Sequence, residues 1–445
     1  MRFFRDRKPA AEPAPPAPEE AGAGDEDDAA AEALAAYDGE PEAAIDELHE
    51  WRTRAAAVIP GGASTGSKRP DALYGDGAQF GPTHFVRASG CELVTPAGER
   101  LVDCTMALGA VSLGYADEGV SRAVVETILG GHVAGLSHGL EVVVAERLCE
   151  VVPCAEQVRF PKTGAEAVAA AVRIARTYTG RSTVIGAGYF GWLDWWTEAK
   201  GVPAGAHADF HAVPFDDVAA LERAVAAAGS ALAAVVIEPV VERLPSDEWV
   251  RAARAACDRV GAVLIFDEIK TGFRLRPGGF QEHSGLTPDL ATFGKAMANG
   301  FPLAAVVGRA DVMDAARATW ISSTLAGEAA ALAAAGAVLD RHAEEDVCTG
   351  LASIGAEMMA AARRAVAASG VPGVRVEGIA PMWLLRFADP TRESHFLEAA
   401  LGEGVLFKRG AYNFPSLAHD EDALVQIERA ASTALVTARE AERRR

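Results

Sequence analysis

Three apolar runs constrain this chain more than any other feature. STVIGAG (182–188), ALAAVVIEPV (231–240) and GAVLIFDEI (261–269) each string apolar residues together and then reach a glycine or a charged residue. Short runs without polar alternation read as strands buried on both faces, which is the situation in parallel sheets covered by helices. Segments of helical spacing lie between such runs. In AEAVAAAVRIARTYTG (165–180), Val168, Ala171, Val172 and Ala175 fall on one helix face, Arg173 and Arg176 on another, and Gly180 supplies a stop. The pattern predicts an α/β fold built on a mostly parallel sheet flanked by helices.

The pattern changes near residue 340. A long helical stretch, LASIGAEMMAAARRAVAASG, is followed by short strands around PMWLLRFAD and GVLFKRG, which predicts a smaller α+β domain over 339–445. Residues 49–105 include CELVTPAGERLVD, read as a hairpin expected to pack with that small domain, and 106–338 form the large domain. Residues 1–48 read as a disordered acidic tail. Within residues 1–50 there are 4 Lys and Arg against 15 Asp and Glu, and the Ala and Pro content offers little to bury.

Charge and cysteine content narrow the function classes. The formal net charge of -20 argues against nucleic acid, whose phosphates are bound by clustered Lys and Arg. Six cysteines form no CxxC pair and ten histidines no HExxH, so neither zinc nor a disulfide framework is expected. No run approaches a membrane span, and MRFFRDRKPAAEPAPPAPEE lacks the apolar core of a secretory signal. A cytoplasmic protein with neither a membrane nor a nucleic-acid partner is the expectation.

In open α/β sheets ligands sit beyond the carboxyl ends of the strands, so polar residues ending buried strands are the place to look. Asp267 ends GAVLIFD and Glu238 ends AAVVIE; either alone reads first as a cap for the next segment, and two on successive strands shift the balance toward a site. Thr163, Gly164 and Ala165 in RFPKTGAEAV open a helix whose first N–H groups lack internal partners and suit a phosphate, although small residues start many helices for packing reasons. Tyr189, just past a strand, offers either an aromatic plate or a core ring. Lys295 in ATFGKAMANG places an amine in apolar surroundings, where it is costly unless paired, deprotonated or covalently used. A phosphate cradle, an aromatic plate, two carboxylates and a lysine match the needs of pyridoxal 5′-phosphate, whose aldehyde condenses with a lysine.

The stretches IPGGASTGSKRP, LGAVSLGY, KTGAEAVAAAVRIARTYTGR, YFGW, VVIEPV, LIFDEIKTGFR, PDLATFGKAMANGFPLAAVVG and SSTLAGE resemble the class III aminotransferases of the fold-type I pyridoxal phosphate enzymes. Within these the chain is similar to the glutamate-1-semialdehyde aminomutase group. The resemblance implies a seven-stranded large domain, Lys295 as the Schiff-base lysine and Asp267 as partner of the pyridine nitrogen. It also implies Thr163, Gly164 and Ala165 at the phosphate, Tyr189 over the ring and Glu238 near the ring and the lysine. Thr324 matches a threonine that reaches the phosphate of the neighbouring subunit, which implies a homodimer with shared active sites. Lys68 and Arg69 fall where the aminomutases carry a carboxylate-binding arginine; Trp192 and Arg409, with Tyr412, are further substrate candidates. Trp192, Trp195 and Trp196 line a channel or pack a dimer interface, and Arg274 resembles a structural arginine.

The chain departs from the aminomutases at Lys162, Ala165, Phe190 and Glu328, where they carry Asn, Thr, His and Asn. The activity expected is amino transfer between a small-molecule amino donor and a carbonyl acceptor. The alternatives on the same scaffold are an intramolecular aminomutase and an amino-acid racemase or epimerase.

Overall fold

The structure is a computed structural model, and it describes residues 48–443. The expected acidic tail lies outside the described residues. The chain enters through the helix Leu48–Val58 and then forms three short antiparallel strands, β1 (Arg87–Ser89), β2 (Glu92–Val94) and β3 (Arg100–Asp103).

Seven strands then build the central sheet: β4 (Gln157–Arg159), β5 (Thr183–Ala187), β6 (Phe210–Ala212), β7 (Leu232–Ile237), β8 (Val263–Asp267), β9 (Leu290–Phe293) and β10 (Ala305–Gly308). Their order is β4-β10-β9-β8-β7-β5-β6, and only β10 runs antiparallel to its neighbours. Every residue of β5, β7, β8, β9 and β10 is buried, as runs without alternation require. The helix Gly164–Thr179 covers one face. Its buried side is Ala167, Val168, Ala170, Ala171, Val172, Ile174 and Ala175, and Gly180 ends it in the left-handed conformation (φ 68°) that glycine adopts without steric cost.

The C-terminal part contains the helix Val347–Ser369, the hairpin β11 (Val374–Ile379) and β12 (Met382–Phe387), the helix Pro390–Gly402, β13 (Val405–Leu406) and the helix Glu421–Arg443. Strand β13 pairs in parallel with β3, Val405 opposite Val102, so the N-terminal hairpin and the C-terminal part share one four-stranded sheet. The Ala-rich helix Ala329–Glu344 runs across residue 338 and packs on the helices Glu118–Gly130 and Leu140–Val151. Among the described residues no helix is long and apolar enough to cross a membrane.

Arg274 joins these parts. Fully buried, it donates through Nη1 to the carbonyls of Pro381 (3.3 Å) and Pro415 (2.9 Å), and through Nη2 to those of Gly109 (3.2 Å) and Val111 (3.3 Å). Its guanidinium lies 5.0 Å from the Phe414 ring centre, and burial pushes its basicity down to about 10. One planar fork thus holds the segment after β3 and the C-terminal part onto the loop after β8. Arg274→Met leaves four buried carbonyls short of a donor, and we expect a loss of roughly 3 kcal/mol in chemical denaturation, with Arg274→Lys recovering less than half of it.

Candidate active site

The carboxyl ends of β5, β7, β8 and β9 converge on one cavity of about 440 Å³, a volume suited to a small cofactor with substrate. Its walls include Lys162, Thr163, Gly164, Ala165, Tyr189, Phe190, Trp192, Glu238, Asp267, Lys270 and Lys295. The sheet order explains the gathering. Strands β7, β8 and β9 are side by side, so Glu238, Asp267 and Lys295, each at or just past a strand end, arrive at one rim.

Asp267 is buried at the end of β8, and its Oδ1 accepts from Ile269 N (3.1 Å) and Thr292 Oγ1 (3.2 Å). Burial, reinforced by the nearby Glu238 carboxylate, pushes its carboxyl up to about 7. Such a group needs a cationic partner to stay ionised at neutral pH. The adjacent carboxylate, Glu268, is occupied elsewhere: it accepts from Phe280 N (2.8 Å), Gln281 N (3.0 Å) and Thr271 Oγ1.

Lys295 begins a single tight turn, Lys295–Ala298, with a left-handed backbone (φ 48°). Asn299 closes the turn and fixes its neighbour. Its Oδ1 accepts from Ser112 N (2.9 Å) and Leu113 N (3.1 Å), and its Nδ2 donates to Gly114 O (3.0 Å). The Lys295 amine is pushed down to about 8, first by burial and next by the Lys270 ammonium, against the pull of Glu238 and Asp267. An amine in that range is partly free base at neutral pH and therefore nucleophilic.

At the helix start, Thr163 and Glu166 form a capping box. Glu166 Oε2 accepts from Lys162 N (3.0 Å) and Thr163 N (2.9 Å), while Glu166 N donates to Thr163 Oγ1 (3.3 Å). The N–H groups of Gly164 and Ala165, in the first helical turn, have no acceptor within the helix and border the cavity, an arrangement that suits a phosphate. Two glycines allow the aromatic loop to close on this end: a Cβ at Gly191 (φ 85°) would overlap Ala165, and one at Gly188 (φ 136°) would overlap Glu238. A phosphate end, a buried carboxylate, a buried amine and aromatic walls together fit pyridoxal phosphate.

Tyr189 is well exposed at the cavity, and its N–H donates to Glu238 Oε2 (3.0 Å). Phe190 is buried. Trp192 is exposed and borders the cavity, whereas Trp195 and Trp196 are half-buried, edge-on against Phe210 and beside Phe190, where they pack on the core.

Four candidates stand apart from this cavity within the single chain. Thr324 is exposed and lines a separate depression of about 320 Å³ with the 131–138 loop and Glu328. Lys68 and Arg69 lie in and just after a short turn of the N-terminal segment, Lys68 beside a second, mostly apolar cavity of about 180 Å³. Arg409 faces Glu393 (3.8 Å) and donates to Asp71 O (3.3 Å).

Sequence reasoning missed two ion pairs. Lys270 Nζ lies 2.5 Å from Glu238 Oε1 and 4.3 Å from the Tyr412 ring centre. Lys162 Nζ lies 2.8 Å from Glu328 Oε1, and Glu328 caps the helix Ala329–Glu344. Lys270 stands three residues after Asp267 in a stretch already marked as a strand end, which was the available signal. It also missed a left-handed turn, Met106, Ala107 and Leu108 (φ 41°, 48°, 61°), which leads into Ala110 on the cavity wall.

Over residues 75–189 and 202–426 the chain matches the family described as aminotransferase class-III. It belongs to the class III aminotransferases. The glutamate-1-semialdehyde 2,1-aminomutase of Sorangium cellulosum is 34% identical over 410 residues, which cover 83% of this chain and 91% of that protein. The 3-aminobutyryl-CoA aminotransferase of Cloacimonas acidaminovorans is 32% identical over 327 residues, 72% and 78% of the two chains. Among solved structures, the FumI protein of Sphingopyxis sp. MTA144, in its PLP internal aldimine form, superposes with a TM-score of 0.84 at 28% identity, covering 88% of this chain and 97% of that one. This aminotransferase is pyridoxal phosphate-dependent, and it moves an amino group from a small-molecule donor to a carbonyl acceptor.

Proposed function

We propose that Lys295, Asp267 and Glu238 are the catalytic groups of this aminotransferase, that Thr163, Gly164, Ala165 and Tyr189 hold the cofactor, and that two subunits share their sites through Thr324. The convergence of the first seven on one cavity carries the assignment of roles within the chain. When bound, pyridoxal phosphate supplies an aldehyde that takes up amines and a ring that accepts the electrons of a breaking bond at the donor carbon. The residues do the rest. Asp267 holds a proton at the pyridine nitrogen, because a carboxylate beside a cation is favoured over one buried alone. Lys295 takes a proton from the donor carbon and returns it, its basicity having been lowered toward neutrality. Glu238 holds the Tyr189 backbone in place, and Phe190, Trp192, Phe301, Pro302 and Leu303 keep water from the reacting atoms.

These apolar walls favour an acceptor with an apolar body beside its carbonyl. Placement of Thr324 outside its own chain's cavity supports a homodimer in which it serves the neighbouring subunit. Residues 106–338 form the cofactor domain in this reading, and 49–105 with 339–445 form its smaller companion. Six free thiols support a cytoplasmic setting.

The test is an absorbance series on the reconstituted enzyme with a panel of amino donors and no acceptor. At least one donor converts the bound cofactor to its amine form, and an apolar carbonyl compound restores it. Racemisation, or an amino shift within one substrate without acceptor, would replace this reading by the racemase or mutase one. Light scattering should give twice the 46.4 kDa chain mass.

A further inference from the structure

Three lysines and two carboxylates line the cavity; Lys162 is paired with Glu328, and of the other two one must give up its proton while the other stays charged. Lys270 and Glu238 expose only 10% and 14% of their side chains and meet at 2.5 Å. Glu238 uses its second oxygen on Tyr189 N (3.0 Å), so the carboxylate is fully engaged. The Tyr412 ring covers the Lys270 ammonium at 4.3 Å, and Tyr412 Oη is itself anchored by Glu242 N (2.6 Å).

We propose that Lys270 is the dedicated counter-ion of Glu238, and that by occupying this carboxylate it leaves Lys295 as the cavity amine that gives up its proton more readily. The proposal rests on the reading of Lys295 as the cofactor lysine. Without Lys270, Lys295 would face two carboxylates, Glu238 and Asp267, and both favour the ammonium form, which attacks no carbonyl. With it, Glu238 is neutralised and a second positive charge stands near Lys295. The charged groups acting on Lys295 are Lys270, Glu238, Asp267 and Arg274; Lys162 also borders the cavity but is paired with Glu328. Burial lowers the Lys270 amine, and Glu238 more than offsets this, so Lys270 holds its proton more tightly than Lys295 does. The two lysines thus divide the work: one is a fixed charge, the other a nucleophile.

The experiment is competitive acetylation of the cofactor-free full chain across pH, with each lysine followed by mass spectrometry. In Lys270→Met the Lys295 titration moves to higher pH, and its labelling at pH 7.5 falls by at least about threefold. Lys270→Arg keeps the wild-type profile. Glu238→Gln shifts the Lys295 titration down and raises the labelling of Lys270. The double variant Glu238→Gln/Lys270→Met returns Lys295 to within about twofold of wild type, and a merely structural role for Lys270 would not produce that return. An unchanged Lys295 profile in Lys270→Met, or no return in the double variant, overturns the proposal. Failure of the underlying reading shows differently: the cofactor would attach to a lysine other than Lys295, whatever the acetylation profiles.

Discussion

Lys295→Met abolishes amino transfer, lowering kcat by at least about 10,000-fold, while the protein stays folded. The expected loss combines the two roles proposed for this amine, the attachment point for the aldehyde and the base that moves the donor-carbon proton. Among the described residues the other two lysines of the cavity are engaged, Lys270 by Glu238 and Lys162 by Glu328. Stability moves the other way. With its folded basicity pushed down to about 8, Lys295 makes the folded state bind fewer protons than the unfolded chain between about pH 8 and the ordinary lysine range. Stability therefore rises with pH across that window, and near neutrality the wild type bears the cost of a buried charge. The methionine variant removes it, so the melting temperature of the cofactor-free protein at pH 7 should equal or exceed that of wild type. A parallel loss of activity and melting temperature would point to a structural lysine instead.

Asp267→Asn is the second large effect, a fall in kcat of roughly 1000-fold with cofactor still bound. Asparagine preserves the shape and can still accept from Ile269 N and Thr292 Oγ1, but it cannot hold a proton on the ring nitrogen. The stability effect again has a defined sign. A carboxyl pushed up to about 7 favours the folded state fully below about pH 4, and that contribution is lost as pH rises through 7. Without cofactor, the asparagine variant should therefore melt a few degrees above wild type at pH 8, with the gap closing toward pH 5. With cofactor the order reverses, because the ring nitrogen then supplies the partner that Asp267 lacks. Calorimetry at the two pH values, with and without pyridoxal phosphate, reads all four cases.

What was legible in the sequence was local. The unbroken apolar runs of β5, β7 and β8 announced a covered parallel sheet, and the residues at their ends announced the site, because a strand end in such a sheet is also a place in space. The helix start at Thr163 and the stop at Gly180 were likewise written in neighbouring residues. Long-range placement was not. The pairing of Lys270 with Glu238 spans 32 positions and depends on β7 and β8 being adjacent, with Ile237 opposite Phe266. The ion pair of Arg409 with Glu393, which joins a turn to the helix Pro390–Gly402, is another contact that no local spacing announces. The tryptophans of GWLDWW illustrate the same limit. Their spacing could not show that Trp195 and Trp196 turn into the Phe190 and Phe210 cluster while Trp192 stays at the cavity. Residue 338 carries no break in its Ala-rich helix, which continues to Glu344 until Arg341 and His342 occupy its last turn.

The most direct test of the central claim is to load the enzyme with pyridoxal phosphate, reduce it with borohydride, digest it and map the modified peptide. The account predicts one pyridoxyl group per chain, on Lys295 within ATFGKAMANG, and none on Lys270 or Lys162. Modification of Lys270, or of no lysine in the cavity, would contradict it.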